Sequence, residues 1–134
     1  MKNSFLYKPK SRTTVLYLCS IAIVLSLHLW KKTLLIHAGI SVELNNEISL
    51  HISNFSISYL LCLAIGFIWL LFGISLNKVL TFGLIVIAVN FLYELYLPLL
   101  NTPDIIDAYY GTVGSLLAGI VLILIKQKGL IPKN

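Results

Sequence analysis

With 58% hydrophobic and only 11% charged residues in 134, the chain is too apolar for a soluble domain, where about one residue in four is charged. The net charge of +5 comes from scattered basic residues without a recognition motif, which gives no reason to invoke nucleic acid. What remains is a single polytopic membrane domain spanning residues 1–134, all-α, with its surface in contact with the lipid bilayer.

Residues 1–12 carry Lys2, Lys8, Lys10 and Arg12 and read as an irregular basic tail. Four apolar runs follow, at about 13–30, 55–76, 79–97 and 108–125. At roughly 1.5 Å per residue each crosses or nearly crosses a hydrocarbon core of about 30 Å. Lipid cannot hydrogen-bond an exposed backbone, so these runs are predicted to be transmembrane helices. The first is read as a retained helix, because Trp30, Lys31 and Lys32 follow it where a secretory signal would show small residues for cleavage. His28, just before them, reads as part of that interfacial anchor.

Cys19 and Cys62 fall inside the first two runs and read as small apolar residues. No metal-type cysteine or histidine spacing is present, so no metal and no cofactor is expected from sequence motifs.

Residues 31–54 read as an outer connection lying along the interface, broken at Gly39 and at Asn45-Asn46. His51 and Asn54 stand before the second helix, three residues apart and on one face if that helix begins early. Gly66 and Gly73, seven apart, would let another helix approach closely. Asn77-Lys78 is too short for anything but a tight turn, so the second and third helices are expected to pack as an antiparallel hairpin.

In the third helix Asn90 and Glu94 share a face. Glu94 lies fifteen residues above Val79, about 22 Å along the axis, near the outer edge of the hydrocarbon. A carboxylate there is costly unless paired or wetted. Leu97-Pro98 is expected to end this helix, and Asn101-Thr102-Pro103-Asp104 has the composition of a turn and helix start.

Two readings of the next acids compete. Thr102 or Asp104 can cap the fourth helix, with Asp107 in its first turn; alternatively Asp104, Asp107 and Glu94 line one polar layer. Gly111, Gly114 and Gly119 in the fourth helix are expected to permit close helix packing.

Eight of the ten basic residues fall on one side of a four-span topology, leaving only Lys31 and Lys32 on the other. Enrichment of Lys and Arg on the cytoplasmic side then predicts that both termini are cytoplasmic.

Glu94, the Asp104-Ile105-Ile106-Asp107 stretch and Gly114 resemble the VanZ-like family of small bacterial membrane proteins, and His51 is similar to a histidine that often precedes the corresponding helix. Leu97 stands where the family commonly has Gln, and Gly111 where it commonly has Asn. The resemblance implies a role in the bacterial cell envelope, in the cytoplasmic membrane, rather than a reaction.

Three functions follow as expectations. In the first, Glu94, Asp104, Asp107, Asn90, His51 and Asn54 form an outward-facing acidic notch that binds an envelope lipid or amphiphile. In the second, the acids hold a membrane-protein partner, making the chain a small subunit of a larger complex. A membrane-embedded hydrolase using His51 and an acid, or a divalent metal, ranks third; the chain is expected to be a binding protein rather than an enzyme.

Overall fold

The computed structural model describes residues 5–30, 33, 37, 39, 42–96 and 104–133. Among the described residues, four helices are long and apolar enough to cross a membrane: α1 (Ser11–Leu29), α2 (Val42–Leu71), α3 (Leu76–Tyr96) and α4 (Ile105–Leu124). Large apolar side chains such as Leu16, Ile23, Leu84, Leu92 and Ile120 are exposed on their outer faces. So much exposed apolar surface suits a lipid environment and not water. The protein is an all-α integral membrane protein built as a four-helix bundle.

α2 packs most extensively on α4, with α3 laid against α4 and α1 more loosely against α2. The expected pairing of the second and third helices is therefore secondary to the α2–α4 pairing. Glycine explains the choice: a Cβ on Gly114 would collide with the backbone carbonyl of Phe55, and one on Gly66 would collide with Leu122 and meet Val79 at 3.0 Å. Small residues allow backbones to approach that closely. Below this contact Leu63, Leu70, Val79, Ala118 and Leu122 form the core.

Several boundaries differ from the sequence expectations. α2 starts at Val42, so the stretch ahead of residue 55 is continuous helix and Asn45-Asn46 is no break. Asn and Glu are tolerated in a helix whose polar end need not lie in hydrocarbon. The turn between α2 and α3 falls at residues 72–75, and Asn77-Lys78 belongs to the first turn of α3. Gly73 ends α2 with φ +82° beside Leu6 and does not pack another helix. A Cβ added at Gly119 would meet Leu80 only at an ordinary 3.6 Å, so no close helix approach depends on this glycine. Lys31, Lys32, Leu97, Pro98 and Thr102 lie outside the described residues.

The basic tail is also more ordered than expected. A strand β1 (Tyr7–Pro9) pairs antiparallel with β2 (Leu130–Pro132), Lys8 facing Ile131. Between α4 and β2 the chain makes a π-helical turn over Ile125–Gly129, and Lys126 lies 4.3 Å above the Tyr7 ring. Leu6 N–H donates to Leu71 O. Both ends of the chain and the α2–α3 turn are thus clasped together at one end of the bundle.

Candidate functional site: a buried histidine among carboxylates

His51 lies twenty residues before Leu71 on the same helix, about 30 Å along the axis from the clasp. It therefore sits toward the opposite end of the bundle. Asp107, seventeen residues before Leu124 on α4, comes to the same level because α4 runs parallel to α2 and the Gly114–Phe55 contact locks the two together one to two turns below.

The geometry is tight. His51 Nδ1 is 2.7 Å from Asp107 Oδ1 and 3.7 Å from Asp104 Oδ2, while Nε2 is 3.9 Å from Glu47 Oε2. The His51 residue is only 5% exposed. An ionised Asp107 can only accept, which puts the hydrogen-bonding proton on Nδ1. One imidazole thus meets three carboxylates, and Nδ1–H can satisfy one of them at good geometry.

Both readings of Asp104 hold together. Its Oδ1 accepts from Ile106 N–H at 2.9 Å, an N-cap that satisfies a free donor at the start of α4. Its Oδ2 is left to face His51. Asp104 N–H in turn donates to Glu94 Oε2 at 3.2 Å, which draws the end of α3 into the cluster. Glu94 is buried, at 6% exposure. A buried carboxylate costs free energy unless partnered, and this contact supplies one partner.

The structure brings His51, Asp104, Asp107 and Glu94 together and gives Asn90 a different partner. Asn90 Nδ2 donates to Ser58 Oγ at 2.9 Å, tying α3 to α2. Gly111 makes room for that amide, because a Cβ there would collide with Asn90 Nδ2 and meet Ser58 Oγ at 3.0 Å. Asn90 is thus committed to packing rather than to the cluster. Asn54 is half-buried on α2.

Residues not singled out from sequence complete the site. Tyr110 places its ring 5.3 Å from that of His51. Phe91 meets Tyr109 edge-on at 5.6 Å. Beside the cluster lies an apolar cavity of about 450 Å³ lined by Leu27, Ile52, Phe55, Tyr109, Tyr110 and Val113. Tyr110 belongs both to the cavity lining and to the surroundings of His51, so the oily cavity adjoins the cluster at that ring. A second apolar cavity, about 320 Å³ between α3 and α4, is lined by Cys62, Val79, Gly83 and Gly119 among others.

A spacing could have revealed part of this. Glu47, His51 and Ser58 stand at i, i+4 and i+11, one face of a helix if α2 is allowed to start before residue 47. Comparison with protein-family models, curated proteins and solved structures finds no match to this chain.

Proposed function

We propose that this is a VanZ-like protein of the bacterial cell envelope that holds an envelope lipid or other amphiphile at its outer end. The observation that supports this most is Tyr110, which lines the apolar cavity with Phe55 and Tyr109 and stands 5.3 Å from the ring of His51, the residue that Asp107 and Asp104 face. An amphiphile needs that combination: hydrogen-bonding and charged groups for its head, and an apolar recess for its tail or ring.

In this reading both termini are cytoplasmic and the cluster faces outward in the cytoplasmic membrane. The clasp end carries Lys8, Lys10, Lys126 and Lys128, and basic residues mark the cytoplasmic side. Binding is set by His51 and the carboxylates acting as one network.

Native mass spectrometry of the gently extracted protein, beside a Glu94→Gln, Asp107→Asn double variant, tests the reading. A lipid-sized mass carried by the wild type and absent from the folded variant is expected. A protein partner lost in the variant would make the chain a subunit held by its acids. Identical spectra would remove the cluster from any ligand role.

A further inference from the structure

We infer that His51, Asp104 and Asp107 form a binding site for a divalent transition-metal ion, with zinc the closest match to one imidazole and two carboxylates. The inference concerns the same cluster as the amphiphile reading, but it rests on the donor geometry alone.

One donor atom from each of the three residues lies within 4.8 Å of the other two. Around a tetrahedral ion with bonds of about 2.0–2.1 Å, neighbouring donors stand about 3.4 Å apart. His51 Nδ1 is 2.7 Å from Asp107 Oδ1 and 3.7 Å from Asp104 Oδ2, which straddles that spacing. Small side-chain rotations open the first distance and close the second. The ion takes the place of the Nδ1 proton, so that both aspartates are satisfied where the proton satisfies one.

Charge balance gives an independent reason. Among the described residues, the ion pairs of Glu47, Asp104 and Asp107 all converge on His51, and buried Glu94 is tied to Asp104 N–H. Glu47 and Asp104 are open to solvent, at 67% and 39% side-chain exposure, so the cost of buried negative charge falls on Asp107 and Glu94. A divalent cation offsets it, and imidazole with carboxylate oxygens is a donor set that favours zinc or its neighbours over calcium or magnesium.

Supports also surround the ligands. Asp104 is fixed by Ile106 N–H through the oxygen that does not face His51, and the His51 ring is held beside Tyr110. Outer contacts of this kind orient ligands and sharpen affinity. Three protein donors leave a coordination position for water or for an oxygen of a bound headgroup.

The test uses the full chain in detergent, free of any affinity tag, stripped with chelator and re-equilibrated with zinc before gel filtration and elemental analysis. One zinc per chain is expected, with affinity falling at least roughly tenfold in His51→Gln and in Asp107→Asn, while Glu47→Gln retains the ion. Zinc-edge X-ray absorption of the wild type decides the matter even if a variant fails to fold: imidazole and oxygen scattering is expected. No retained zinc, or sulfur scattering from Cys19 or Cys62, overturns the inference. Lipid that stays bound to the chelated wild type while zinc fails to bind would leave the amphiphile reading standing alone; zinc bound without any lipid would do the reverse.

Discussion

The helices divide into two pairs. In the spans of α2 and α4, 44% and 39% of residues are buried, against 11% and 17% in α1 and α3. α2 and α3 have the same mean hydropathy, 1.9, yet differ in burial, so hydrophobicity alone does not separate the pairs. What separates them is small and polar side chains at the interface: Gly66, Ser56, Ser58, Gly111, Gly114 and Ser115 lie where α2 meets α4. In lipid, association is driven by close packing and interhelical hydrogen bonds rather than by removing apolar surface from water. The pair that can approach most closely becomes the centre, and its end away from the β1–β2 clasp carries the histidine and aspartates.

The largest effect expected on this division comes from Gly114→Leu. Its side chain must displace the backbone of Phe55, a group that cannot rotate away, so a loss above the about 1–3 kcal/mol typical of overpacking is expected in reversible detergent unfolding. The same substitution separates His51 from Asp107 and removes any cluster-dependent ligand.

Next in size is Asp107→Ala, which leaves His51 buried with its closest acceptor gone. A destabilisation of about 1–3 kcal/mol is expected, and His51→Ala, Asp107→Ala together should cost less than the sum of the two single changes. Asp104→Ala removes the cap of α4 and should cost about 1 kcal/mol; Asp104→Asn keeps the capping oxygen and should restore most of it. The smallest effect belongs to the outer helix. Gly83→Ala on α3 meets open space and should change stability by no more than about 1 kcal/mol. Equal sensitivity at Gly83 and Gly114 would break the distinction between the pairs.

How far the sequence revealed this varies by feature. The four spans were legible because lipid imposes length and uniform apolarity. The acidic layer was legible because Glu94, Asp104 and Asp107 are rare charges in such surroundings. The early start of α2 was not, since Glu43, Asn45, Asn46 and Glu47 resemble a loop when composition alone is weighed. That error hid the face shared by Glu47, His51 and Ser58. The hydrogen bond of Asn90 to Ser58 was not legible either, because its partner comes from another helix, and spacing along one helix cannot show that. The β1–β2 clasp is three residues per strand joined across the whole chain, too short for a period and too distant for a local signal.

The central claim is that His51 and Asp107 hold an amphiphile as one unit. A double-mutant cycle on the fraction of protein carrying lipid in native mass spectra tests it most directly, using His51→Gln, Asp107→Asn and the two combined. Each single change is expected to remove most of the bound lipid and the combination to remove little more. Strictly additive losses, or lipid retained in the combined variant, would contradict the account.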